Sequence, residues 1–169
     1  FMERGDLDRA ITLYTEFNEL GCKLGNTRAE GFGLERVGTA NYYLGRAPAA
    51  MDFWEQSMAI RMARADSNGI YDLRINMANG MVSMDELEQG LRTFFEVLAW
   101  AERNGKREYQ SPCITNIAMV YAMQGKLEDA ARYNRRLLAE FKTELTPVDR
   151  SIALANLGQV QLDMGRPDT

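Results

Sequence analysis

The chain contains no histidine. That absence removes the commonest general base, the commonest transition-metal ligand and every Ser-His or Cys-His pair. Cysteine occurs twice, at Cys22 and Cys113, in neither metal-ligand nor disulfide-framework spacing. Two free, largely buried thiols in a reducing cytoplasm are expected. Proline is scarce, with four in 169 residues. Ala, Leu, Met, Glu and Arg are plentiful instead, a balance that favours helix over sheet. No apolar run is long enough to span a membrane, and the opening FMERGDLDRA lacks the apolar core of a secretion signal. A basic excess is missing too. The net charge of −4 argues against a nucleic-acid partner, and the local run RNGKRE at 103–108 suits the carbonyl end of a helix.

What is present is a globular composition, 46% hydrophobic and 26% charged, laid out with a period of forty residues. GDLDRA stands at 5–10, GRAPAA at 45–50, DELEQG at 85–90 and GKLEDA at 125–130, and GRPDT closes the chain from 165. One column of small residues runs Ala10, Ala50, Gly90, Ala130, and a second runs Gly38, Ala78, Ala118, Gly158. Four residues after the first column come Tyr14, Trp54, Phe94 and then Asn134, which breaks the aromatic series. Small residues at fixed places let two helices approach closely, with large neighbours one turn away filling the space beside them. Each unit is therefore read as a pair of antiparallel helices. Gly45, Gly125 and Gly165 mark the turns between them, and Thr146 with Pro147 marks a helix start. The unit at 67–106 departs most from the pattern. Arg74 stands at an apolar position, Gly80 lies inside a helix where a bend is expected, and Asp85 replaces the turn glycine.

This pattern, clearest in ITNIAMVYAMQGKLEDAARYNRRLL (114–138) and ALANLGQVQLDMGR (153–166), resembles a tetratricopeptide repeat. The usual unit of that family is about 34 residues. A period of forty resembles its long-helix branch, seen in bacterial peptide-sensing regulators, ATPase-type transcription activators and polarity scaffolds. The resemblance implies an all-α fold, an α-solenoid of about eight helices coiled as a right-handed superhelix. Its divisions would be a lone second helix at 1–26, repeats at 27–66, 67–106 and 107–146, and a first helix at 147–169. The register places Phe1 in the column of Asn41 and Tyr121, so the chain opens on an unpaired helix and is expected to be a piece of a longer protein.

In such an array the first helix of each pair lines the concave face. The register then gives three lining columns. The first is Arg36, Asn76, Asn116, Asn156; the second is Thr39, Asn79, Met119, Gln159; the third is Tyr43, Ser83, Met123, Asp163. Asparagine is a mediocre helix former, and its amide both donates and accepts. The Asn column either contacts the backbone of an extended peptide, as the resemblance to peptide-gripping arrays implies, or bridges adjacent repeats or bonds to a carbonyl of the next helix. Met119 and Met123 suit either core filling, the more frequent role of repeated methionine, or adaptable apolar contacts with a ligand. Arg36 suits a ligand carboxylate, with Glu35, Asp72 and Asp163 making the groove mixed in sign. The carboxylate clamp of chaperone-binding relatives is not reproduced. Asn76 matches it, while Pro112 and Asn116 stand where two basic residues would be needed. Trp54 is read as core, and Trp100 as either core or contact.

No catalytic constellation is present. GFGLERVG (31–38) has the wrong spacing for a dinucleotide fingerprint, GDLD lacks calcium-loop spacing, and Glu128 with Arg132 reads as a surface i, i+4 pair. The expectation is a cytoplasmic, non-enzymatic module that binds a peptide or extended protein segment, with no cofactor, metal, nucleic acid or membrane. The alternative is a sensor or coupling domain inside a multidomain signalling or transcription-regulatory protein. Self-association through the ends of the array is a further option.

Overall fold

A computed structural model describes residues 4–165, leaving aside the side chain of residue 149. Phe1 and the tail beyond Gly165 lie outside the described residues. The described chain is all helix and turn. It comprises α1 (Arg4–Lys23), α2 (Thr27–Tyr43), α3 (Ala47–Ala63), α4 (Ser67–Ser83), α5 (Leu87–Arg103), α6 (Arg107–Met123), α7 (Leu127–Glu140) and α8 (Pro147–Met164). The all-α helix-pair fold expected from the forty-residue register is the fold observed.

Six of the seven joins have one construction. Each passes through a single left-handed residue: Gly25, Gly45, Ala65, Asp85, Gly105 and Gly125, with φ between 54° and 74°. This conformation ends a helix by letting the next amides fold back onto its last carbonyls, as Arg46 N–H does to Asn41 O at 2.9 Å. Asn26 and Asp66 then start α2 and α4, their side chains accepting from Ala29 and Gly69 amides at 3.1 Å. Gly165 departs from expectation, because its φ is not positive. Ala65 adopts the left-handed form against its side-chain sterics. Ala65→Gly is expected to raise stability by about 0.5–1 kcal/mol, read as a higher thermal midpoint by circular dichroism; a lower midpoint would contradict this.

The helices form two compact units, α1–α4 and α5–α8, divided between Glu86 and Leu87. In the first, Ala50, Trp54 and Leu73 form a core with Tyr42, Met51, Met58 and Met77 packed against it. A Cβ added at Gly38 would lie 2.6 Å from Trp54 Cδ1, and one at Gly80 would lie 3.1 Å from Met51 Sδ and Trp54 Cζ3. Gly80 is thus a packing site for the indole rather than a bend, and α4 runs continuously through it. On α1, Leu13, Phe17 and Leu20 are exposed, as is Leu24 just after it, whereas the Phe17 column is fully buried at Val97 and Leu137.

In the second unit, Phe94, Cys113, Ile114, Ile117, Val120 and Leu137 are buried, and Ala130, Ala131 and Val160 form a core with Tyr121, Ala122, Leu127 and Leu157. Burial pushes the Cys113 thiol up to about 12. Cys22, expected to be buried, is exposed on α1, beside Glu30 of α2. Gly158, expected at a close helix approach, has open space beside it. Arg132 pairs with Asp129 at 2.8 Å, one residue short of the expected partner Glu128.

Candidate functional site

In the second unit, α6 and α8 form two walls and α7 the floor of a cleft of about 210 Å³. Met119 and Met123 lie four residues apart on α6, and Asn156, Gln159 and Asp163 follow the i, i+3, i+7 spacing on α8. Each set therefore shares one helix face. These five expected groove residues line the cleft together with Ala118, Ala122, Leu127, Asn134 and Val160. Met119 and Met123 are 40% and 54% exposed and form the mouth. Gln159 Nε2 donates to Asp163 Oδ1 at 2.9 Å, tying the α8 rim into one polar strip. Asn116 opens instead into a neighbouring cleft of about 330 Å³ with Pro112, Leu137, Leu145 and Ile152.

The expected residues of the first unit lie on α2 and α4. Arg36 stacks on the Phe32 ring at 4.9 Å, and its buried Nε has no partner. Thr39 and Ser83 donate to carbonyls of their own helices, Glu35 O at 2.9 Å and Gly80 O at 2.7 Å. Tyr43 is 61% exposed beside Tyr42. Asn76 and Asn79 are half-buried on α4.

The asparagines divide sharply. Asn18, Asn41, Asn104 and Asn134 each donate to a backbone carbonyl. Asn26 caps α2, and Asn68 is also engaged. Among the described residues, only Asn76, Asn79, Asn116 and Asn156 have no hydrogen-bond partner within the protein. Among the described residues, none of these amides bridges to a neighbouring helix.

Two features escaped the sequence reading. Glu35, expected in the groove, is buried and pairs with Arg61 of α3. Arg61 also donates to Asp66 at 2.8 Å and lies beside a cleft of about 290 Å³ between α2, α3 and α4. This cluster ties three helices together. The other feature is Asn134, 3% exposed, which floors the cleft of the second unit; its signal was the break in the aromatic column.

Residues 113–143 match the tetratricopeptide repeat model. Among solved structures, the chain is similar to BtubC (BKLC) from P. vanneervenii, with a TM-score of 0.82 over 95% of this chain and 20% identity. The fold is tetratricopeptide-like. A second tetratricopeptide-like neighbour is RapI in its apo form, with a TM-score of 0.72 over 91% of this chain and 12% identity. A third is a Podosopora anserina putative kinesin light chain of nearly identical TPR-like repeats, with a TM-score of 0.66 over 98% of this chain and 13% identity. The chain spans 67%, 64% and 90% of those three proteins respectively. No curated protein matches the chain by sequence. Among the described residues, no helix is long and apolar enough to cross a membrane.

Proposed function

We propose that this tetratricopeptide-like chain is a binding module for a peptide or an extended protein segment. In the second unit the ligand lies in the cleft between α6 and α8; in the first it contacts the α2 and α4 side chains Arg36, Thr39, Tyr43, Asn76, Asn79 and Ser83. One observation carries the reading. Every other asparagine among the described residues is engaged, while those of the register column and Asn79 keep free amides. A free amide offers a peptide backbone both a donor and an acceptor, whatever its side chains. The unpaired Arg36 Nε and the exposed mouth methionines support the same reading from the charged and apolar sides. The reading assigns no catalytic step or cofactor to the chain, and it places the chain in the cytoplasm, where the exposed Cys22 remains a thiol.

The test is affinity capture from a native cell extract with the wild type and with Asn76→Ala/Asn116→Ala/Asn156→Ala, both verified as helical by circular dichroism. Each amide lost is worth about 0.5–1.5 kcal/mol of hydrogen bonding. Binding of the captured partner is therefore expected to weaken at least tenfold, on the order of one factor of ten per 1.4 kcal/mol. A partner held equally by both proteins would overturn the reading.

A further inference from the structure

The cleft of the second unit has an internal counterpart in the first. In the forty-residue register, the triplet Gly38, Trp54, Gly80 corresponds to Ala118, Asn134, Val160. In the first unit the Trp54 indole is 1% exposed and fills the space beside both glycines, with Nε1–H donating to Glu35 O at 3.3 Å. In the second unit the ring is missing. The methyl of Ala118 and the isopropyl of Val160 take up part of its place, and the remainder is the cleft of about 210 Å³ over Asn134. At the intermediate register position stands Phe94, whose phenyl ring is fully buried. In the first unit an aromatic ring thus occupies this register position, and at Asn134 the chain does not supply one.

Asn134 gives the vacancy a polar floor. Its Nδ2 donates to Ala130 O at 3.1 Å, and its Oδ1, which accepts from no described residue, stays open to solvent although the residue as a whole is 3% exposed. This oxygen is therefore an acceptor open to the cleft, which a ligand donor can reach in place of water. The walls suit a ring as well. Met119 and Met123 stand at the mouth, and thioether sulfur makes favourable contacts with ring edges. A cavity of about 150 Å³ takes a benzene ring, so this one is large enough for a substituted ring.

We infer that the α6–α7–α8 cleft takes an aromatic side chain from the bound peptide, and that tyrosine fits it best, with its phenol O–H donating to Asn134 Oδ1. The ligand thus supplies the ring that α7 lacks. This rests on the peptide-binding reading, with the backbone crossing the rim at Asn156 and Gln159 and one side chain descending between the methionines.

The experiment uses the full chain labelled with ¹³C at the methionine methyls. It is titrated with three capped pentapeptides of sequence Gly-Gly-X-Gly-Gly, where X is Tyr, Phe or Leu. The Tyr peptide is expected to give ring-current shifts at Met119 and Met123, with the Phe peptide weaker by about five- to tenfold, one hydrogen bond's worth. The Leu peptide is expected to bind weakest of the three. Asn134→Phe, which fills the vacancy from within, is expected to abolish the shifts. Met123→Lys at the exposed mouth serves as the block if circular dichroism shows that Asn134→Phe misfolds. Asn134→Ala is expected to retain ring binding and lose the preference for Tyr over Phe. Absence of any methyl shift at millimolar peptide, or shifts unchanged by both blocking variants, would overturn the inference. Its failure is separable from that of the wider reading. A native partner lost with the triple asparagine variant but retained by Asn134→Phe sinks the ring pocket and leaves the groove. Ring peptides that bind wild type and Asn156→Ala equally leave the pocket and sink the backbone contact.

Discussion

Trp54→Ala is expected to destabilise the first unit by about 3–5 kcal/mol, the range for deleting a large buried aromatic. The side chain is 1% exposed and lies 5.8 Å, centroid to centroid, from the Tyr42 ring. The cost falls at the high end of that range because the neighbours cannot close the gap. Gly38 and Gly80 flank the indole, and neither has a side chain to move into a void. The removal also deletes the donor to Glu35 O. Native-state hydrogen exchange of the α2, α3 and α4 amides is the appropriate readout, since it reports stability locally. Protection should fall by on the order of a hundred- to a few thousand-fold, at one factor of ten per 1.4 kcal/mol. A loss below about 1 kcal/mol, outside the range for such a deletion, would mean that the helices collapse onto the vacancy. The central role given to the two glycines would then be wrong.

Arg61→Met is expected to cost the same unit about 3–5 kcal/mol for a different reason, a stranded buried charge. The Arg61 and Glu35 side chains are only 13% and 9% exposed and pair through Nη2 and Oε2. The guanidinium passes directly over Gly69, where an added Cβ would lie 1.6 Å from Nη1. Removing Arg61 leaves the Glu35 carboxylate without its counter-ion. Asp66, more exposed at 37%, is partly solvated and suffers less. The decisive comparison is the double variant Glu35→Met/Arg61→Met, because an apolar pair of similar volume avoids the desolvation of both ions. It is expected to recover most of the loss in urea denaturation. A double variant as unstable as Arg61→Met alone would show that packing of the long side chain, rather than its charge, holds α3 to α2 and α4.

The helix pairs were legible in the sequence because their signals are local and recur. The expected turn glycines Gly45 and Gly125 are left-handed, and the small residues Ala50, Ala78, Ala118 and Ala130 are all buried as the columns required. Local rules failed where the surroundings differed from one copy to the next. Gly158 has the same residue type as Gly38 but no indole opposite it. Cys22 has an apolar residue's character but is exposed on α1. The candidate site was partly legible. Met119, Met123, Asn156, Gln159 and Asp163 converge on one cleft because residues spaced by whole helical turns must share a face. That Asn134 forms its floor followed from no spacing rule.

Sequence alone thus determined the all-α class, the helix-pair repeat and the turns at Gly45 and Gly125, since these depend on neighbours within a few residues along the chain. Only the tertiary structure decided which polar groups were already engaged. Trp54 donates to a carbonyl 19 residues away and Ser57 to one 26 residues away, and Glu35 is withdrawn from the groove by an arginine on the next helix. The free amides and the vacancy over Asn134 are defined by what lies opposite them in space. The chain order encodes that only through the packing of whole helices.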